Sequence, residues 1–255
     1  MDHGEPSSSD RLVQRYLRAS IQQGRNTLRA GPFLASFSPP SRNPYFNYAI
    51  PDDGAEPTAA DVAALIEAYE SRALRPRLEY LTSCAPGVEA PLLAAGFSVE
   101  GRLALMLAAA NDVDAPVPPG IELVRPATPD ELRGLRQVQH EAYDDPEPVD
   151  DAAIDRLRRN LASGAGAVLA RTSEGDPVGA GEFTPPIEGV SEITSIAVRE
   201  PYRRRGIAAA VTSWLLRGAR KAGGSTPFLM ANEAEERIYA RVGFTTTSRV
   251  LHISR

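Results

Sequence analysis

Cysteine, histidine and methionine are scarce in this chain of 255 residues, which contains one, three and three of them respectively. The single cysteine, Cys84, excludes an intramolecular disulfide framework, and we expect it to be a small buried side chain in a strand. The histidines lie far apart, at positions 3, 140 and 252. Because His, Cys and carboxylate residues show no clustered spacing, the sequence predicts no metal site.

Long apolar runs are absent as well. No run approaches the roughly 20 residues of a membrane span. Residues 1–10 are polar and acidic, unlike a signal or transit peptide. We therefore expect no membrane association, a cytoplasmic location and disorder in residues 1–10. The net charge of −5 argues against nucleic acid as a partner and is compatible with a cationic amine substrate.

The segment 193–216 combines an apolar strand pattern, a turn rich in Arg and Gly, and an alanine-rich helical pattern. The strand pattern ends at Val198, and we expect the helix to run from Gly206 to about Lys221. The first N–H groups of a helix lack intrahelical partners, and the helix dipole favours an anion there. Gly206 lacks the Cβ that would obstruct a ligand. The turn therefore predicts a phosphate-binding loop, which explains its arginines better than a nucleic-acid patch does.

This turn resembles motif A of the GNAT family of N-acetyltransferases, written Arg/Gln-x-x-Gly-x-Gly/Ala, at Arg203, Gly206 and Ala208. A segment downstream resembles a second motif of that family, Asn-x-x-Ala-x-x-Leu-Tyr-x-x-x-Gly-Phe. Its matching positions are Asn232, Tyr239, Gly243 and Phe244, with Ile238 in place of the Leu. The Ala of this motif is Glu235 here, so helix packing or cofactor contact differs at that point.

The resemblance implies that acetyl-CoA is the cosubstrate and that the loop at the helix start holds its pyrophosphate. The residues expected to bind it are Ile196, Ala197, Val198, Arg203, Arg204, Arg205, Gly206, Ile207, Ala208, Ala209 and Asn232. Within this set, the strand end 196–198 would pair with the pantetheine amides, and an N–H near Val198 would face the thioester oxygen. The alternative is that residues 196–198 form a buried strand only.

Two side chains are candidates for proton transfer during acetylation of an amine. The resemblance implies that Tyr239 protonates the leaving thiolate, and the alternative is a core tyrosine beside Ile238 and Val242. Glu192, at the start of the apolar strand, is the candidate base, because desolvation there would raise the pKa of its carboxyl. The alternative is a solvated glutamate at a strand end. Further candidates for the base are Glu182, Glu188 and His140.

A proline-rich acidic segment, residues 111–120, divides the chain into two halves and is expected to be a stiff polar linker. Gly96-Phe97 in the first half recurs as Gly243-Phe244 in the second, each after a helical pattern and before an apolar strand. We read the halves as two copies of one fold, with domains at 1–110 and 121–255.

The first copy lacks the phosphate-binding loop and the tyrosine that are expected to bind cosubstrate and transfer a proton in the second copy. An acidic turn, Asp52-Asp53, stands before its helix where the phosphate loop would be. Leu92 falls in the place of Tyr239 when the Gly-Phe pairs are aligned. The first half is therefore expected to be a degenerate acetyltransferase-like domain that binds no cofactor.

The resemblance implies an α+β fold of two acetyltransferase-like domains, each a mixed, mostly antiparallel sheet flanked by helices. Local patterns agree with it. They predict helices at 10–23 and 58–72, a strand from Ile121 followed by a helix capped by Thr128, a hairpin of 166–171 and 177–184 with its turn at 174–176, and a strand at 191–198.

These observations favour an acetyl-CoA-dependent N-acetyltransferase that moves an acetyl group to a primary amine by direct attack on the thioester. One alternative is a non-catalytic acyl-CoA-binding or regulatory module, and another is a structural scaffold. The acceptor is expected to be a small-molecule amine or a peptide amine. Its pocket would be formed by the variable loops 143–149 and 185–190. The sequence leaves the oligomeric state open.

Overall fold

The structure is a computed structural model that describes residues 5–39, 41–111, 113–144 and 148–255. The described residues contain seven α-helices and eleven strands. In chain order these are α1 (Ser8–Gln22), β1 (Asn26–Ala30), β2 (Phe33–Phe37), β3 (Ala49–Pro51), α2 (Ala59–Glu70), β4 (Arg77–Leu81), α3 (Glu89–Ala94), β5 (Ser98–Ala108), β6 (Ile121–Val124), α4 (Pro129–Tyr143), α5 (Asp151–Ala162), β7 (Gly166–Thr172), β8 (Pro177–Phe183), β9 (Val190–Val198), α6 (Ile207–Lys221), β10 (Thr226–Ala231), α7 (Glu233–Ala240) and β11 (Phe244–Ser254).

The chain forms two compact units whose limits differ from the domains expected at 1–110 and 121–255. Unit 1 contains the described residues up to Leu105 together with Thr247–Arg255, and unit 2 contains Met106–Thr246. The C-terminal segment joins unit 1 because β11 pairs with β4 in antiparallel register from Val250 to Ser254. None of the described helices is long and apolar enough to cross a membrane.

Unit 1 is a mixed sheet in the order β1-β2-β3-β4-β11-β5, flanked by α1, α2 and α3. β1–β2, β2–β3 and β4–β11 pair antiparallel, and β3–β4 pair parallel. The expected disorder of residues 1–10 is wrong for its last part, because α1 begins at Ser8 and the Ser7 hydroxyl accepts the Asp10 N–H at 3.0 Å. Residues 1–4 lie outside the described residues. Cys84 is buried as expected, but in a turn after β4 rather than in a strand.

The Gly-Phe repeat marks the same local structure in both units. Gly96 follows α3 with φ +85°, and Gly243 follows α7 with φ +88°. Each glycine precedes a strand of 11 residues. A positive φ ends the helix and favours glycine, which explains why this residue recurs.

Unit 1 also encloses a cluster of charged side chains around Arg77, which is 1% exposed. The Arg77 guanidinium donates to Glu79, to Glu100 at 2.8 Å and to the His252 Nδ1 at 3.1 Å. Because arginine only donates, the His252 Nδ1 acts as an acceptor and the imidazole is neutral. Burial lowers the pKa of His252 below its ordinary value. The charge of Glu79 opposes this shift, the charge of Arg77 adds to it, and Glu100 opposes it.

Unit 2 is a sheet in the order β10-β9-β8-β7-β6. Neighbouring strands are antiparallel except β9 and β10, which are parallel. The predicted hairpin is confirmed as β7 and β8, with Gly175 at φ +98° in its turn. The start of α4 is also as predicted, with Thr128 and Glu131 in a capping box. Both units therefore have the predicted α+β architecture.

α6 packs closely on this sheet through Ile207, Val211 and Leu215. Two glycines of β8 make the approach possible. A Cβ on Gly181 would lie 2.7 Å from the Leu215 Cδ1 and 2.8 Å from the Val211 Cγ1. A Cβ on Gly179 would lie 2.8 Å from the Ile207 Cγ2. This packing fixes the N-terminus of α6 beside the end of the sheet.

The proline-rich segment 111–120 was expected to be a stiff polar linker, and its described residues also contact α6. The Ser213 hydroxyl of α6 donates to the Val113 carbonyl at 3.2 Å and accepts the Ala115 N–H at 3.4 Å. The described part of the segment belongs to unit 2. Its apolar residues can cover α6 because that helix presents small side chains on its outer side, a match that composition alone does not reveal.

Candidate active site

The second half of β9 is paired with β8 on one side and separates from β10 on the other. β9 and β10 pair at three positions, ending at Glu192 opposite Phe228. The pairing with β8 shifts between Ala180 and Glu182, and Ser195 in β9 has φ +55°. These features define a β-bulge, which bends a strand and redirects its backbone groups. β9 therefore leaves its neighbour and presents an open backbone edge.

Backbone groups near the end of β9 point toward this open edge. The Arg199 N–H donates to Val178 of β8 at 3.0 Å. Successive residues of a strand direct their N–H and C=O groups to opposite sides, so the N–H of Val198 points away from β8. The Val198 carbonyl accepts the Arg203 Nε at 3.1 Å. The Val198 N–H is thus directed to the side where the resemblance implies the thioester oxygen.

Two side chains of α4, four residues apart, hold the bulge. The Gln139 Nε2 donates to the Ser195 carbonyl at 3.1 Å, and the Tyr143 hydroxyl donates to the Ile196 carbonyl at 2.8 Å. Residues at positions i and i+4 lie on the same helix face, so both reach consecutive carbonyls of β9. These bonds fix the orientation of the bulge before any ligand binds.

Glu182 belongs to the same network and is not a free base. The Arg136 guanidinium donates to it at 2.8 Å, and the Gln139 Nε2 donates to it at 2.9 Å. Its side chain is 10% exposed. The buried carboxylate therefore orients Gln139 toward the bulge, and its negative charge is compensated by Arg136.

The turn between β9 and α6 presents the N-terminus of the helix without a capping side chain. Gly206 is the N-cap residue, with φ +87°, and it has no side chain that could cap the first turn. Arg203, Arg204 and Arg205 are exposed around it. The Arg205 guanidinium lies 5.3 Å from the centre of the Tyr202 ring, within the range of a cation–π contact. Unpartnered N–H groups, the helix dipole and three cations together suit a bound anion.

The comparable helix of unit 1 is closed to an anion. Thr58 and Asp61 form a capping box at the start of α2, and hydrogen bonds from Thr58 lower the pKa of Asp61. Asp52 pairs with Arg29, and Asp53 pairs with Arg18, both at 2.7 Å. The acidic turn is thus ion-paired, and the cap is what occupies the helix N-terminus.

Tyr239 is a buried residue of α7, 7% exposed. Burial raises its pKa well above the ordinary value, and the neighbouring Glu235 and Tyr143 raise it further. The phenol is therefore protonated at neutral pH, as a proton donor must be. The same burial is also that of a core tyrosine.

The remaining candidates occupy different environments. Glu192 is half-buried at the last paired position between β9 and β10, directly where the strands separate. Glu188 is exposed in the turn before β9, and His140 is half-buried on α4. Asn232 caps α7, where the Glu235 carboxylate accepts its backbone N–H at 3.2 Å. The family motif has Ala at this position, and the capping hydrogen bond gives Glu235 a structural role here.

Sequence reasoning missed Gln139 and Tyr143. A signal was present, because Gln139 continues the apolar stripe of Leu132 and Leu135, where a polar side chain needs a hydrogen-bond partner. The loop expected at 143–149 lies in part outside the described residues. The described residues contain no group of three or more His, Cys, Asp or Glu that could hold a metal ion.

The comparisons with known proteins agree with this geometry. Residues 131–244 match the model of the family described as acetyltransferase (GNAT) family. No curated protein sequence matches the chain.

Solved structures share the fold over nearly the whole chain. A GCN5-related N-acetyltransferase from Kribbella flavida has 20% identity and a TM-score of 0.78, covering 96% of this chain and 95% of its own. A GCN5-related N-acetyltransferase from Sphaerobacter thermophilus has 16% identity and a TM-score of 0.67. The match covers 98% of this chain and 85% of that one. A tandem GNAT protein from the clavulanic acid biosynthesis pathway has 13% identity and a TM-score of 0.59. The match covers 88% of this chain and 78% of that one.

Proposed function

We propose that this chain, whose residues 131–244 match the model of the GNAT acetyltransferase family, is an acetyl-CoA-dependent N-acetyltransferase acting on a primary amine. One observation carries the proposal: the open edge of β9 leads directly to the uncapped N-terminus of α6. An extended molecule with amides at one end and phosphates at the other matches this arrangement. The same arrangement supports unit 2 as the cosubstrate-binding part, with unit 1 as a degenerate copy.

The open edge of β9 and the N-terminus of α6 bind different parts of acetyl-CoA. The loop from Arg203 to Ala209 holds the pyrophosphate through backbone N–H groups and arginine charge. Residues 196–198 pair with the pantetheine amides. The Val198 N–H donates to the thioester oxygen and stabilises the negative charge that develops there during attack. Asn232 acts as the cap of α7 and keeps that helix in place beside the site.

Proton transfer completes the reaction. Glu192 accepts a proton from the substrate ammonium, directly or through water, because an amine attacks only in its neutral form. The nitrogen forms a bond to the thioester carbon, and it releases its second proton to water as the carbon–sulfur bond breaks. Tyr239 gives its proton to the departing thiolate, so that CoA leaves as a thiol and the phenol is restored from solvent.

Turnover of a panel of primary amines and peptides with acetyl-CoA tests the proposal, with release of the CoA thiol as the readout. Tyr239→Phe should lower kcat on the order of 10²-fold while leaving acetyl-CoA affinity nearly unchanged. Tyr80→Phe is the matched control. Tyr80 is a fully buried tyrosine of unit 1 whose hydroxyl has no hydrogen-bond partner in the described structure.

The outcomes separate the possible functions. Binding of acetyl-CoA without turnover of any amine in the panel would favour the non-catalytic acyl-CoA-binding module. Full turnover by Tyr239→Phe, with chemistry as the slow step, would make the phenol a packing residue. Absence of acetyl-CoA binding would remove the proposal altogether.

A further inference from the structure

The strand order of unit 1 repeats that of unit 2 and identifies the counterpart of the open edge. In unit 2, the antiparallel strands β7, β8 and β9 lead to the parallel neighbour β10, and α6 lies between β9 and β10 in the chain. In unit 1, β1, β2 and β3 lead in the same way to β4, with α2 between β3 and β4. β3 and β4 pair at one position, Ala49 opposite Leu78. The space beyond this pair therefore corresponds to the gap between β9 and β10.

A side chain of α1 occupies this space. If the parallel ladder continued by one step, the Leu81 N–H would donate directly to the Pro51 carbonyl. Instead, the Leu81 N–H donates to the Gln14 Oε1 at 3.0 Å, and the Gln14 Nε2 donates to the Pro51 carbonyl at 3.3 Å. Gln14 is fully buried. Its carboxamide is thus inserted between the two strands and pairs with the backbone of both.

The end of β3 also differs from the end of β9 in what it offers a ligand. The Pro51 carbonyl accepts a second hydrogen bond, from the Arg18 Nη1 at 3.1 Å, so both of its lone pairs are used. Proline has no N–H group, whereas the Val198 N–H of β9 points away from β8. An amide or a thioester that entered here would have to displace Gln14 and would meet no backbone donor at Pro51.

Unit 2 has a glutamine in a similar place that makes different hydrogen bonds. The Gln139 Nε2 of α4 donates to the Ser195 carbonyl of β9, as Gln14 does to a carbonyl of β3. The Gln139 Oε1, however, accepts the Arg136 Nη1 at 2.8 Å, and its Nε2 also donates to Glu182 of β8 at 2.9 Å. These bonds hold the carboxamide on the β8 side of β9. The same residue type therefore closes one gap and leaves the other open.

We propose that Gln14 is an internal substitute for a bound amide, and that it closes the cosubstrate gap of unit 1. This inference rests on the proposed function, because that function makes the corresponding gap of unit 2 the site of the pantetheine amides. A carboxamide both accepts and donates, so it satisfies the N–H of one strand and the C=O of the other. Buried backbone groups need such partners, and unit 1 has them without a ligand. The space that Gln14 fills is therefore a binding site for a primary carboxamide.

Chemical rescue tests this assignment. Gln14→Ala keeps the Cβ and removes the rest of the side chain, which has the heavy atoms of acetamide. Because the Pro51 carbonyl and the Leu81 N–H lose their partner, the unfolding temperature should fall by about 2–12 °C. Acetamide should bind the folded variant and recover about half of this fall or more. Acetone, which has a similar shape but no N–H to donate, should recover none of it.

Gln14→Leu is the matched control. Its side chain fills the space with apolar atoms, so acetamide should leave its unfolding temperature unchanged. If Gln14→Ala does not fold under standard conditions, its refolding yield with acetamide or with acetone replaces the unfolding temperature as the readout.

Amide hydrogen exchange provides a second measurement that is specific to the gap. The Leu81 N–H should exchange slowly in the wild type and about tenfold or more faster in Gln14→Ala. Acetamide should make this exchange slow again in Gln14→Ala.

The inference is overturned if acetamide stabilises or refolds Gln14→Ala no better than Gln14→Leu, or if acetone acts as well as acetamide. Equal exchange of the Leu81 N–H in the wild type and Gln14→Ala would also overturn it. None of these measurements needs acetyl-CoA, so their failure leaves the proposed function intact. A wild type that binds no acetyl-CoA would overturn the proposed function, while the response to acetamide would still decide whether Gln14 fills an amide site.

Discussion

Gly206 is the position at which a single substitution separates cosubstrate binding from folding. Its φ of +87° lies in the left-handed region, where any other residue costs about 1–2 kcal/mol. Glu at this position would also place a carboxylate at the N-terminus of α6. That carboxylate would compete with a bound pyrophosphate for the same N–H groups and repel its charge.

Gly175 offers a matched control for the backbone strain. Its φ is +98°, and a Cβ there would meet no heavy atom within 4 Å. At Gly206 the nearest atom to a Cβ would be the Pro118 Cγ at 3.7 Å, an ordinary contact. Gly175→Glu and Gly206→Glu should therefore lower the unfolding temperature by similar amounts, about 2–8 °C for this strain in a chain of this size.

The response to acetyl-CoA should distinguish the two variants. A ligand at 100 times its Kd stabilises the folded state by about 2.7 kcal/mol. That corresponds to a rise of roughly 5–10 °C in unfolding temperature. Wild type and Gly175→Glu should show this rise in a thermal unfolding assay, and Gly206→Glu should not. An equal rise in Gly206→Glu would refute the assignment of the phosphate loop.

Three further predictions follow from the structure. Glu192→Gln should lower turnover and remove the acidic limb of the pH–rate profile. Glu188→Gln, in the exposed turn before β9, should do neither. The reverse result would identify Glu188 as the base. Calorimetry should give one acetyl-CoA per chain, because the capping box of Thr58 closes the helix of unit 1, and two equivalent sites would contradict this. The pKa of His252 is lowered in the folded state. Near and below pH 6.5, about the pKa of an unperturbed histidine, the unfolded state therefore binds more protons than the folded state. The free energy of unfolding should therefore fall as pH drops below that value, and His252→Asn should flatten the fall; an equal slope in both proteins would exclude His252 as its source.

Short-range signals were sufficient for much of unit 2. Thr128 and Pro129 mark the start of α4, Gly175 marks the hairpin turn, and the glycine at 206 marks the start of α6. Each depends on the conformation of a few consecutive residues, so local preference decides it. The spacing of Arg203, Gly206 and the downstream motif also predicted the resemblance to the GNAT family, whose model matches residues 131–244.

Other features depended on residues distant in the sequence. The bulge at Ser195 is held by Gln139 and Tyr143, which precede it by more than 50 positions. No periodicity of β9 predicts that partnership, because only the packing of α4 on the sheet brings these groups together.

The division of the chain shows the same contrast between sequence and tertiary structure. The sequence by itself determined the two similar halves, since the Gly-Phe repeat and its helical and apolar flanks are local patterns. Only the tertiary structure decided that Thr247–Arg255 belongs to unit 1 and that the proline-rich segment lies on α6. A strand pattern specifies which face is apolar but not which strand pairs with it. Likewise, a proline-rich composition specifies a stiff chain but not the surface on which it rests.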